Sequence, residues 1–265
     1  MQPFIGYFFI QGLTMAENVK LALLIDAENI SPKYTKTIFD ELSKYGVVTT
    51  KRIYGDWTKQ SSACWKPYIA ENALLTVQQF HNTSNKNSSD ATLIIDAMDI
   101  LYSKNIDGFC IVSSDSDFTR LIMRIREDGK IVYGMGEKKS PKALINACDK
   151  FIYLDVNEKQ EPKGGKKTQS KAEKRHMALL GELGKEKIDA LISTVADHEE
   201  DWVNLSEVGN RMTKLFPDFD QRNYGYKKLS DLIKALDIFV VKVERVNDNG
   251  AKTYLLKIKE NEKQD

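Results

Sequence analysis

The sequence predicts a doubly wound α/β domain with a mostly parallel sheet, followed by a small α+β module. Three observations carry this. From Lys20 to Val156, apolar β-type runs alternate with amphipathic stretches, the pattern of parallel strands joined by crossover helices. The composition then shifts abruptly to EKQEPKGGKKTQSKAEKRH (158–176), which reads as a flexible basic linker. Near Lys185 a helical period resumes, and it ends in two alternating runs around Asn247-Asp-Asn-Gly250, a hairpin signal.

In the first domain the strand runs are LALLID (21–26), VVTTKRIYG (47–55), ALLTVQQF (73–80), GFCIVSSD (108–115), KIVYGMG (130–136) and FIYLDV (151–156). Between them Tyr34 to Tyr45, Asp90 to Ser103, Asp117 to Glu127 and Ser140 to Cys148 have helical spacing. Ser140 and Pro141 suit an N-cap and first helical position. In the second module IDALISTVADH, SEVGNRMTKLF and YKKLSDLIKAL precede FVVKVERV and KTYLLKIK, so three helices lead into a hairpin, the winged-helix order. The expected boundaries are an N-terminal extension (1–18), the α/β domain (19–156), the linker (157–184) and the winged-helix domain (185–260).

An apolar fraction of 42% and a charged fraction of 29% exclude a wholly disordered chain. A formal net charge of +1 supplies no global field for nucleic acid, so that case rests on local sites. Cys64, Cys110 and Cys148 form no CxxC pair, which excludes a zinc ribbon and suits a reducing, cytoplasmic setting. The apolar stretch Pro3 to Leu13 lacks a basic leader and is too short to span a bilayer, so no membrane association is expected. Met15 offers an alternative start.

The chemistry concentrates at strand ends, where a doubly wound sheet opens its crevice. Asp26 closes the first strand, Asp115 and Asp117 follow the fourth, and Asp90 heads a helix after a polar loop. Each alone reads equally as a cap or turn residue. Together they form an acidic constellation whose mutual repulsion a hard divalent cation relieves. Such an ion suits phosphodiester hydrolysis. Gly134 to Pro141 (GMGEKKSP) joins the fifth strand to a helix. Lys138, Lys139 and Ser140 suit a substrate phosphate there, or the segment is an ordinary turn. His81 lies in a polar loop and reads as structural or solvated.

The segments LLIDAENI, NSSDATLIIDAMDILY, FCIVSSDSDFTRLIMRIREDGK and VYGMGEKKSPKALINACDKFIYL resemble the NYN family, the LabA-like branch of the PIN nuclease superfamily. That resemblance implies a PIN-like fold, metal-binding acids at Asp26, Asp90, Asp115 and Asp117, and accompanying polar positions at Asn29 and Asp96. It also implies Mg²⁺ or Mn²⁺ as cofactor and RNA as the usual substrate. Asp96 equally suits an outward salt bridge. Ser114 stands where many relatives have glycine. PIN-like folds often pair, so a homodimer is open.

WVNLSEVGNRM and FPDFDQRNYGYKKLSDLIKALDIFVV resemble the OST-HTH/LOTUS winged-helix family, which implies RNA binding and, in some members, a protein partner. Leu229, Leu232, Ile233 and Leu236 make a core stripe. Arg222, Tyr224, Tyr226, Lys227 and Lys228 gather at the opening of that helix, as phosphate and base-stacking contacts or, for a tyrosine, as packing on the wing. A helix-turn-helix alone suits duplex DNA equally. The leading expectation is a metal-dependent ribonuclease, endonucleolytic, with an appended RNA-binding module. The alternatives are a non-catalytic RNA-binding regulator and a protein-interaction adaptor.

Overall fold

Leu21 to Ile25 are fully buried, as a central parallel strand covered by helices on both faces requires. They lie in β1 (Lys20–Asp26) of a computed structural model that describes residues 19–79, 88–103, 105–156, 169–198, 202–245 and 252–259. The N-terminal extension, the first half of the expected linker, His81 and the Asn247–Gly250 turn lie outside the described residues. The sheet continues with β2 (Val47–Gly55), β3 (Leu75–Gln78), β4 (Gly108–Val112), β5 (Ile131–Gly136) and β6 (Lys150–Tyr153). Its spatial order is β3-β2-β1-β4-β5-β6, with parallel pairing of β1 to β2 and β4, β2 to β3, and β5 to β6. The chain leaves β1 toward one edge and returns beside it as β4. The C-terminal ends of these two strands therefore flank the switch point where such sheets bind ligands.

The helices are α1 (Thr35–Leu42), α2 (Lys66–Asn72), α3 (Ser88–Ser103), α4 (Thr119–Glu127) and α5 (Lys142–Ala147). A 3₁₀ segment, Gln60–Trp65, leads into α2 and completes a crossover between β2 and β3 that the strand-and-helix pattern did not reveal. α5 starts later than expected. Its N-cap is Pro141, and the buried Ser140 hydroxyl caps nothing.

Gly134 belongs to the packing of β5. A β-carbon there would lie 2.5 Å from Cys148 Sγ and 2.6 Å from the Phe151 ring. Gly134→Ala is expected to cost about 1–3 kcal/mol through overpacking, read as a lower urea midpoint with an unchanged slope.

The second module contains α6 (Gln169–Leu183), α7 (Lys185–Ala196), β7 (Val203–Asn204), α8 (Leu205–Leu215), α9 (Leu229–Leu236), β8 (Phe239–Arg245) and β9 (Lys252–Ile258). Its small antiparallel sheet has the order β7-β9-β8. The expected flexible linker is corrected over its second half, which forms α6. Leu179 and Leu183, four residues apart on one helix face, join Leu191, Met212, Leu232 and Leu236 in the module's core. Burial of that face outweighs the surrounding lysines. Leu183→Ala should therefore destabilise the module by about 2–4 kcal/mol, checked by chemical unfolding. Among the described residues no helix is long and apolar enough to cross a membrane.

Candidate functional site

Asp26 is the last residue of β1 and is 2% exposed. One carboxylate oxygen accepts the amides of Glu28 (3.1 Å) and Asn29 (3.3 Å). The other accepts the Asn29 side-chain amide and the Ser113 hydroxyl, both at 2.7 Å. Burial pushes this carboxyl above the ordinary Asp range, against the opposing pull of those four donors. Asn29 is thus placed on Asp26 by a turn of three residues. Ser113, buried at the exit of β4, ties that strand's end to the end of β1. Its role was missed, because one serine among two at a strand end gives no signal of direction.

The other acids form a group of their own. Asp90 stands in the first turn of α3, and Asp115 caps a 3₁₀ turn, Ser116–Phe118, by accepting the Asp117 amide at 3.0 Å. Asp90, Asp115 and Asp117 each offer a carboxylate oxygen, and these oxygens lie within 4.8 Å of one another. Asp115 is therefore both cap and cluster member; the two readings coexist. Asp26, expected as a fourth ligand, falls outside this group, its oxygens already holding four donors. Ser114 uses its hydroxyl to accept the Glu137 amide at 2.9 Å, which holds the loop after β5.

Asp96, six residues beyond Asp90 on α3, bonds to the Arg52 guanidinium and the Tyr54 hydroxyl of β2. Burial and the adjacent Asp96 both push the Tyr54 hydroxyl's pKa upward. This clamp fixes α3 against the strand. Asp96→Ala removes the carboxylate partner of a partly buried guanidinium and is expected to cost about 1–3 kcal/mol. Asp96→Asn should recover part of that loss in the same thermal melts.

Asp56, just past β2, was also missed. It is 5% exposed and accepts from the Thr58 hydroxyl (2.6 Å) and the Gln78 amide (3.0 Å), which hold its carboxyl below the ordinary range. It thus orders the turn after β2 through Thr58 and ties that turn to the end of β3 through Gln78.

The segment after β5 is less open to phosphate than its composition suggested. The Lys138 amide donates to Asp155 (3.1 Å), the Lys139 ammonium pairs with Glu137 (2.7 Å), and the Ser140 amide donates to the Glu137 carbonyl. In the second module the Arg222 guanidinium forks onto Asp220, at 3.0 Å and 2.6 Å. The Tyr224 hydroxyl accepts from Lys187 at 3.2 Å, and Tyr224 and Tyr226 pack against the core. Lys227 and Lys228 are exposed.

Residues 20–155 match the NYN domain and residues 182–252 the OST-HTH/LOTUS domain. The chain is 28% identical over 142 residues to the uncharacterized protein MJ0482 of Methanocaldococcus jannaschii, a match covering 51% of this chain and 55% of that protein. The chain thus spans about half the length of that curated relative. A crystal structure of a protein of unknown function, VPA0982 from Vibrio parahaemolyticus, matches with a TM-score of 0.45 and 20% identity, over 54% of this chain and 97% of that one. The PIN-like sheet, its strand-end acids and the match over 20–155 make this chain a member of the NYN domain family, carrying a C-terminal OST-HTH/LOTUS domain.

Proposed function

We propose that the protein is a Mg²⁺- or Mn²⁺-dependent ribonuclease, acting within the RNA chain, whose OST-HTH/LOTUS domain contributes RNA binding. The NYN domain is a nuclease family, and the pairing of the two domains supports an RNA-directed role. The observation that carries the finer reading is the convergence of the Asp90, Asp115 and Asp117 oxygens within 4.8 Å. The donor set fits the ion: all three are hard carboxylate oxygens, with no thiolate or imidazole among them, as Mg²⁺ and Mn²⁺ prefer. A bound divalent ion supplies Lewis-acid polarisation of a phosphate oxygen and eases deprotonation of an attacking water.

The chain's own residues do the rest. Asp90, Asp115 and Asp117 concentrate negative charge at one point on the sheet's C-terminal rim. Asp26, held by Asn29 and Ser113, fixes the geometry of both strand ends. Asp96 keeps α3, and with it Asp90, in register against β2. Exposed Lys227 and Lys228 attract the RNA backbone. A cytoplasmic location fits the free cysteines Cys64, Cys110 and Cys148.

The test is incubation of the full chain with end-labelled single-stranded RNA, hairpin RNA and DNA, in Mn²⁺, Mg²⁺ or chelator. Cleavage of RNA in metal and none in chelator is expected. RNA bound in a gel shift yet intact in either metal would favour the non-catalytic regulator instead.

A further inference from the structure

β6 ends the sheet order, so among the described residues one of its edges has no strand beside it. Such an edge offers unpaired amides to any passing backbone. Here the Phe151 amide donates to the carbonyl of Pro217, at 2.8 Å. Pro217 lies in the second module, just beyond α8. Two residues further along the same edge, the Tyr153 hydroxyl donates to Asp218 at 3.1 Å. β6 and the second module accordingly fall within one compact unit.

Asp218 is the hub of this seam. It also receives the Lys187 ammonium at 3.0 Å, and Lys187 reaches the Tyr224 hydroxyl at 3.2 Å while lying over the rings of Phe216 and Tyr224. The Lys187 and Asp218 side chains are 17% and 20% exposed. Asn223 donates to the Asp218 carbonyl at 2.8 Å, and Arg222 grips the neighbouring Asp220. The donors and acceptors of FPDFDQRNY are thus turned toward one another and toward β6.

We propose that the face built from Phe216 to Tyr224 and Lys187 is a protein-docking surface whose partner is this chain's own β6 edge, and that RNA does not enter there. β6 and the second module then behave as one compact unit. Any RNA contact of the module lies off this face, and Arg222 and Tyr224 are docking residues. The assignment is independent of whether the acidic cluster cleaves RNA.

Hydrogen–deuterium exchange on the full-length chain tests it. In the unaltered protein, peptides covering 150–154 and 216–224 are expected to be protected. Tyr153→Phe removes one hydroxyl and keeps the ring, so exchange in both peptides should rise together, by roughly three- to tenfold. Asp218→Ala should raise it further. The β1 peptide reports whether either variant has lost its fold, and if Asp218→Ala has, Tyr153→Phe decides. Affinity of Arg222→Ala for a labelled single-stranded RNA should stay within about twofold of the parent, since its guanidinium is committed to Asp220. Two results overturn the proposal. One is unprotected exchange at 150–154 in the parent; the other is an approximately tenfold loss of RNA affinity in Arg222→Ala with exchange unchanged.

Discussion

Asp115→Asn is expected to lower metal-dependent RNA cleavage at least about a hundredfold, with RNA affinity retained. The substitution is nearly isosteric, and its side-chain oxygen can still accept the Asp117 amide that caps the 3₁₀ turn. What it removes is one of three negative charges held within 4.8 Å. Their repulsion costs stability when no cation balances it. In chelator, therefore, the variant should melt at or above the parent's temperature. Adding Mn²⁺ should raise the parent's melting temperature and leave the variant's nearly unchanged. Near-saturating ion, at a hundred times its dissociation constant, corresponds to about 2.7 kcal/mol. A variant that cleaves at the parental rate would remove Asp115 from the site.

Trp65→Ala carries the largest expected stability loss, about 3–5 kcal/mol. Trp65 is 1% exposed, meets Tyr68 edge-on, and donates its indole N–H to the Ala27 carbonyl at 3.3 Å. Ala27 opens the turn that wraps Asp26. Its loss empties a large volume and loosens the backbone that presents the Asp26 and Asn29 pair. Urea unfolding should show the midpoint falling with little change in slope. A loss under about 1 kcal/mol would mean that the turn is held without the tryptophan.

That tryptophan marks where the sequence was hardest to read. β1 and β4 announce themselves, because strands buried on both faces need unbroken apolar runs such as LALLI and GFCIV. α2 has no buried residue and spans KPYIAEN, too short and too polar to show a period. The anchor of its crossover is Trp65, a single aromatic at the end of the 3₁₀ segment. α6 was hidden differently: GGKK and the following lysines set the local composition, while the two leucines that fix the helix form a sparse pair.

The site divides along the same line. Asp90, Asp115 and Asp117 were legible because topology alone sends strand ends and helix starts to one rim. Ser113 and the Arg52–Tyr54–Asp96 clamp were not, since each depends on which strands become neighbours. Arg222 and Tyr224 were read as surface for RNA from their residue types. In the structure the Arg222 guanidinium pairs with Asp220, and Tyr224 takes the packing role that was its alternative, accepting from Lys187 and lying against the module's core.

Crystals grown or soaked with Mn²⁺ and measured at the manganese absorption edge bear most directly on the acidic cluster. The expected result is an anomalous peak bounded by carboxylate oxygens of Asp90, Asp115 and Asp117, at about 2.1 Å as small octahedral cations require. A map with no peak among those three carboxylates, or with manganese held elsewhere on the protein, would contradict it.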